Sequence, residues 1–237
     1  MTRASVSVVI PAYNNRDLQR VLDSVKALGP TEVIVVDSSP QPSALTDPTV
    51  TLLHDGRRRP AGAARNVGAQ RTTGDYVLFV DADVVLPRCT IDWISRFLEE
   101  PPADMVSGVY DAEAPDGRFL SSLQNRILRS RSTSGPDAGS RLVSSSHLLI
   151  RRKAFQRIGG FNEELWSYED VEFLGRCLRT GHTPLISADF VTIHLKAFTL
   201  RTLLADYVRK AYNAFLARRR YRDVFRGVPH YLGTPLV

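Results

Sequence analysis

The stretch Tyr76-Val-Leu-Phe-Val-Asp-Ala-Asp83 decides how this chain is read. Residues 76–80 form an unbroken apolar run, the mark of a strand buried on both faces; a strand with one wet side would alternate. Asp81 and Asp83 follow at once, with only Ala82 between them. The same pattern stands upstream, where Val33-Ile-Val-Val36 runs into Asp37. In open α/β sheets ligands bind beyond the carboxyl ends of parallel strands, so all three acids stand where a ligand is met.

On either side of this stretch, strand signals at 6–10, 32–36, 50–54 and 76–80 alternate with helical patterns at 17–28 and 61–71. That βαβ rhythm predicts a Rossmann-like α/β fold, a mostly parallel central sheet with helices on both faces. Further along, the pattern predicts a helix at 90–98, a strand at 104–110 and a mobile polar loop at 129–140. A strand at 146–150, a turn at Gly159-Gly160, a helix at 168–179 closed by Gly181 and a strand at 191–194 follow. The last helix, 200–220, places Leu203, Leu204, Tyr207, Val208, Ala211, Tyr212, Phe215 and Leu216 at three-to-four spacing, with Lys and Arg elsewhere.

The 237 residues are 43% apolar and 24% charged, which excludes a disordered or fibrous chain and is ample for a core. The net charge of +6 is a property of the tail: residues 194–237 hold nine Lys/Arg against two acids, the rest 22 against 23. A basic, apolar-striped tail suits an anionic surface, and its helix reads as one lying in a lipid headgroup layer. Cys89 and Cys177 lack metal-site spacing and read as two buried thiols of a reducing compartment. The chain runs from Met1 straight into a strand with no signal-peptide core. No apolar run reaches the roughly 18 to 20 residues that span a bilayer. The expected location is the cytoplasm, with peripheral contact at the membrane face.

Two carboxylates in one turn, Asp81 and Asp83, repel unless something neutralises them, and hard oxygen ligands suit Mg2+ or Mn2+; capping of the next segment is the plainer alternative. Trp166-Ser-Tyr-Glu-Asp170 puts a second acid pair at a helix start, where it either caps the helix or does chemistry.

These separately placed motifs resemble the inverting glycosyltransferases of family 2, which have the GT-A fold and use a nucleoside-diphosphate sugar; the likeness runs over residues 6–194. The resemblance implies that Pro11, Ala12, Tyr13 and Asn14 form a nucleotide loop, with Tyr13 packed on a base whose edge Asp37 reads. It implies that Gly62-Ala-Ala-Arg-Asn-Val-Gly68 is the family's G-x-x-R-N helix start, bringing Arg65 and Asn66 to nucleotide or phosphate. Asp81, with Ala82, is then assigned to ribose or sugar, and Asp83 and His194 to a divalent metal, Mn2+ or Mg2+. Asp170 becomes the general base, with Glu169 holding the acceptor or its loop. By the same resemblance, residues 144–147 match a region that commonly faces the donor sugar, and Ser145, Ser146 and Trp166 are assigned to the acceptor side.

The expected reaction is transfer from a UDP-sugar to a hydroxyl of a lipid-linked or other glycan acceptor. Residues 1–195 are expected to form the catalytic domain and 196–237 a basic amphipathic extension. The end, 227–237, reads as that of a short or truncated member, since many relatives continue into apolar segments. A dinucleotide-binding protein would carry G-x-G-x-x-G after the first strand, and a nucleotidyltransferase a Gly-rich basic loop there. Neither is present, nor is a nucleic-acid reader motif, so no nucleic acid partner is expected.

Overall fold

The computed structural model describes residues 3–134 and 142–225. In chain order the elements are β1 (Val6–Ala12), α1 (Leu18–Lys26), β2 (Glu32–Asp37), β3 (Val50–His54), α2 (Ala61–Ala69), β4 (Tyr76–Val80), β5 (Val84–Val85) and α3 (Arg88–Glu99). There follow β6 (Met105–Tyr110), α4 (Phe119–Thr133), β7 (His147–Arg151), α5 (Arg152–Ile158), α6 (Glu169–Arg179), β8 (Leu185–His194), α7 (Leu200–Arg220) and α8 (Arg222–Phe225).

The strands form one eight-stranded sheet in the order β3-β2-β1-β4-β7-β6-β8-β5. β7 pairs antiparallel with both β4 and β6, and β5 antiparallel with β8, while the other pairings are parallel. The carboxyl ends of β1, β2 and β4 therefore lie along one edge.

The unbroken apolar runs do bury both faces. Val8, Ile10, Leu78 and Val80 enter one core with α1 and α3, while Val9, Val77 and Phe79 enter a second with α5 and α6. Alternate residues of one strand thus fill two cores, the period of two expected of a central strand.

Several expectations are revised. The polar stretch at 129–140 is not a loop throughout: 129–133 complete α4, and 135–140 lie outside the described residues, as does the chain end at 227–237. α4 escaped notice because its buried positions are Ser121, Ser122, Gln124, Asn125 and Ser132; a helix buried through polar side chains leaves no apolar stripe to read. Cys177 is buried, and burial pushes its thiol up to about 12, but Cys89 is exposed at the start of α3.

α2 lies tight on the sheet because Gly68 has no side chain; a methyl group there would overlap Val9 Cγ1. Gly68→Ala is expected to destabilise the chain by about 1–3 kcal/mol through overpacking, seen as a lower Tm. An unchanged Tm would show that α2 has room to move away from β1.

Candidate active site

Beyond the carboxyl end of β4 a cavity of about 230 Å³ opens. Its wall brings together Arg65, Asp81, Asp83, Ser145, Ser146, Trp166, Glu169, Asp170 and His194 from distant parts of the chain. The pairing of β4 with β7 explains one convergence: Val80 is opposite His147, so residues 144–147 meet the Asp81 turn, whose N–H donates to the Ser146 carbonyl.

Arg65, on α2, is only 2% exposed. Its guanidinium donates to Asp81 Oδ1 at 2.5 Å and to Glu169 Oε1 at 2.8 Å. Burial opposes its charge, but the two carboxylates overcome this and raise its pKa further. Ser145 Oγ also donates to Glu169 Oε1, at 3.3 Å. Asn66 does not face the cavity: it donates to the Phe161 carbonyl and to Glu163, and accepts from the Phe161 N–H, stapling the loop that leads to α6.

α6 begins abruptly. Its N-cap residue, Tyr168, sits at φ +72°, in the left-handed region that a bulky side chain rarely adopts. The turn sets Glu169 and Asp170 into the cavity wall, where each is mostly buried. Glu169 is engaged by Arg65, whereas among the described residues Asp170 accepts only the Val171 N–H, at 2.8 Å. Burial, reinforced by the Glu169 charge, pushes the Asp170 carboxyl up to about 7. Desolvation is the main cause, so this group holds a proton far more readily than an ordinary aspartate.

Asp81 and Asp83 diverge although they share a turn. Burial pushes Asp81 up, with Asp83 and Glu169 adding to the push against Arg65. Burial also acts on Asp83, but there His194 and Lys196 prevail and hold it low. His194, at the end of β8, is stacked on Tyr110, with Nδ1 3.3 Å from Asn125 Oδ1 and Nε2 3.7 Å from Asp83 Oδ2. Among the described residues no cluster of three or more His, Cys, Asp or Glu forms a metal centre. Asp83 and His194 nevertheless face each other with one carboxylate oxygen and one imidazole nitrogen, donors of the kinds that bind divalent metals.

The far wall was not foreseen. Lys196, after β8, and Lys210, on α7, both line the cavity. Asp206, 5% exposed on α7, holds them at 3.3 and 2.8 Å and takes Arg209 at 2.5 Å. In the sequence Asp206 is a lone acid in a basic helix, and nothing local marks it as buried. α7 is fastened by Ala214 and Ala217 in the second core and by the Tyr207 hydroxyl, which donates to Gln124 at 2.8 Å.

The nucleotide-loop residues form a neighbouring group rather than part of this wall. Ala12 pairs with Asp37 across β1 and β2, next to Pro11. Asn14, at φ +47°, donates its N–H to Ser39 Oγ at 2.7 Å. Asp37 is fully buried and accepts from Ser39 N–H, Ser43 N–H and Ser43 Oγ at 2.9, 2.7 and 2.6 Å. Burial alone would raise its pKa, but these bonds hold it low. Ala82 is buried in the first core. Tyr13 is 44% exposed, and Arg58 connects it to the cavity, with its guanidinium 5.1 Å from the centroids of both Tyr13 and Trp166.

The chain is similar to known proteins in sequence and in fold. The family described as "Glycosyl transferase family 2" matches residues 7–159. The pre-mycofactocin glycosyltransferase of Mycobacterium tuberculosis is 30% identical over 220 residues, covering 87% of this chain and 45% of its own length; this chain thus spans about half of that relative. An uncharacterized glycosyltransferase of Haemophilus influenzae is 24% identical over 237 residues, with 92% of this chain and 81% of the relative covered. Among solved structures, mannosyltransferase PcManGT of Pyrobaculum calidifontis, in complex with GDP-Man and Mn2+, superposes with a TM-score of 0.61 at 21% identity, covering 95% of this chain and 73% of its own. S. aureus TarS 1-349 in complex with UDP-GlcNAc gives 0.62 at 20% identity, covering 82% of this chain and 59% of its own. These structures share the GT-A fold, and with a match running from β1 to the end of α5 the chain belongs to glycosyl transferase family 2.

Proposed function

We infer that this chain is an inverting, metal-dependent glycosyltransferase that moves a sugar from a nucleoside-diphosphate donor, in our reading a UDP-sugar, to a hydroxyl of a lipid-linked or glycan acceptor. The observation that carries this reading is Asp170: a buried carboxyl, pushed up to about 7, in the same cavity wall as Asp81, Asp83 and His194. Glu169 is engaged by Arg65 and Ser145, which leaves Asp170 as the acid free to accept a proton. A base with a pKa near working pH takes the proton of an acceptor hydroxyl efficiently as that oxygen attacks the anomeric carbon. Attack opposite the leaving diphosphate inverts that carbon in a single displacement.

Asp83 and His194 would hold the metal, and Mn2+ or Mg2+ bound there supplies positive charge to the diphosphate leaving group. Arg65 keeps Asp81 oriented toward ribose or sugar, while Ser145, Ser146 and Trp166 border the acceptor side. The structurally similar PcManGT holds GDP-Man and Mn2+, TarS holds UDP-GlcNAc, and GalNAc-T7, a further neighbour, holds UDP, GalNAc and Mn2+; these complexes support a nucleotide-sugar donor and a divalent ion here.

Asp170→Asn is expected to cut transfer by about a thousandfold or more while changing donor nucleotide affinity less than about threefold. In the parent, kcat/KM should rise with pH through a limb near 7. The stability effect has the opposite sense. The folded pKa of Asp170 lies above its unfolded value of 3.8, so the folded state binds the extra proton and loses stability as pH rises from about 4 past 7. The Asn variant should therefore gain on the order of 1–3 kcal/mol at pH 8, shrinking toward pH 4. Retained turnover in this variant would remove Asp170 as the base.

Asp83→Ala is expected to weaken Mn2+-dependent nucleotide binding by about tenfold or more. Equal affinity in the presence of Mn2+ would take Asp83 out of the metal site.

We place the protein at the cytoplasmic face of a membrane, with α7 as the contact. Among the described residues no helix is long and apolar enough to cross a membrane. Leu200, Leu204, Val208, Tyr212 and Phe215, each more than half exposed, lie on one side of α7 beside exposed Arg201, Arg209 and Arg219. An apolar stripe flanked by Arg supports burial in an anionic headgroup layer. Sedimentation with phosphatidylglycerol vesicles should exceed that with phosphatidylcholine vesicles and fall in Leu204→Glu/Val208→Glu. Equal sedimentation of parent and variant would exclude this face.

A further inference from the structure

Arg58 has no part in the reaction as drawn above, yet it sits at the mouth of the cavity between two exposed rings. Tyr13 belongs to the nucleotide loop after β1, whereas Trp166 lines the cavity itself, so this single guanidinium bridges the two halves of the site. The adjacent acid does not neutralise it. Asp55 is taken by Arg59 through both guanidinium nitrogens, and among the described residues Arg58 has no carboxylate in ion-pair range.

A guanidinium on two ring faces gains cation–π attraction, but at exposed sites this is a weak hold. Ionised phosphate oxygens offer the same planar fork shorter and stronger bonds, because charge-assisted, bidentate pairing matches its geometry. The position also poses a conflict. Arg58 lies over Tyr13, the ring on which a donor base would pack, so base and guanidinium compete for that surface.

We propose that Arg58 is a donor-binding residue that pairs with the diphosphate of a nucleoside diphosphate, giving up Tyr13 to the base and releasing Trp166 to the acceptor side. This rests on the donor-site reading above and deepens it. Binding of the first substrate then alters the surface that meets the second, through one side chain and without movement of the sheet.

The test follows tryptophan emission and calorimetric heat while the full chain is titrated with UDP, GDP and dTDP in Mn2+. The chain has two tryptophans; Trp93 is stacked on Phe97 and Phe190 at 5.4 and 5.6 Å, while Trp166 is 55% exposed. Loss of the emission change in Trp166→Phe assigns the signal. The nucleotide that binds should change the emission with the same midpoint as the heat. Arg58→Ala, at an exposed position, should melt as the parent does, bind that nucleotide about tenfold more weakly and show little emission change. Parent-like affinity in Arg58→Ala, or binding that leaves Trp166 emission unmoved, would overturn the proposal. Failure of all three nucleotides to bind the parent would instead refute the donor reading beneath it.

Discussion

A guanidinium that is 2% exposed cannot stand alone, and the rest of the site follows from how Arg65 is satisfied. An isolated charge in such a place costs several kcal/mol, so Arg65 is compatible with the fold only when carboxylates reach it. Asp81 arrives from the end of β4 and Glu169 from the start of α6, at 2.5 and 2.8 Å. Three elements that are far apart in sequence thus close on one cation. The same pairing differentiates the acids: Glu169 is held by Arg65, whereas Asp170, lifted by burial and by the Glu169 charge, accepts among the described residues from the Val171 N–H. The ion pair that joins α2, β4 and α6 therefore also sets two adjacent carboxyls apart, and the function proposed here gives the proton transfer to the one that Arg65 does not hold.

The opposite wall repeats the device with the signs exchanged. Asp206 is a buried carboxylate that gathers Lys196, Arg209 and Lys210 from β8's exit and from α7. Two of those cations line the cavity. Four carboxylates, Asp81, Asp83, Glu169 and Asp170, face Arg65, Lys196 and Lys210 there, and the balance shifts from residue to residue. Asp83 is held low by His194 and Lys196 against burial, whereas burial with Glu169 lifts Asp170. In the function proposed here, such opposed shifts would let one site hold a cation at one end and a proton at the other.

Much of this was legible in the sequence because it depends on local pattern. Unbroken apolar runs ending in Asp37 and Asp81 marked strands inside the sheet and the edge along which their carboxyl ends lie. The family motifs singled out Glu169, Asp170 and His194, which the structure brings to one cavity. What escaped had no local signature. α4 buries serines, Gln124 and Asn125, so it carries no stripe, although Asn125 meets His194 and Gln124 meets Tyr207. Lys196 and Lys210 looked like ordinary members of a basic tail until α7 was seen to return across the cavity. The motif led to the expectation that Arg65 approaches nucleotide or phosphate, but its partners, 16 and 104 residues away, were set by topology alone. Asn66, from the same motif, turned out to hold the α6 loop.

The most direct measurement is calorimetric titration of the purified full chain with UDP, GDP and dTDP, each in Mn2+ and again in EDTA, since it needs no knowledge of the acceptor. The account predicts that one nucleotide, UDP in our reading, binds in Mn2+ and that EDTA abolishes or strongly weakens the binding. A folded chain that binds none of the three, or binds equally well in EDTA, would contradict a metal-dependent donor site built on Asp83 and His194.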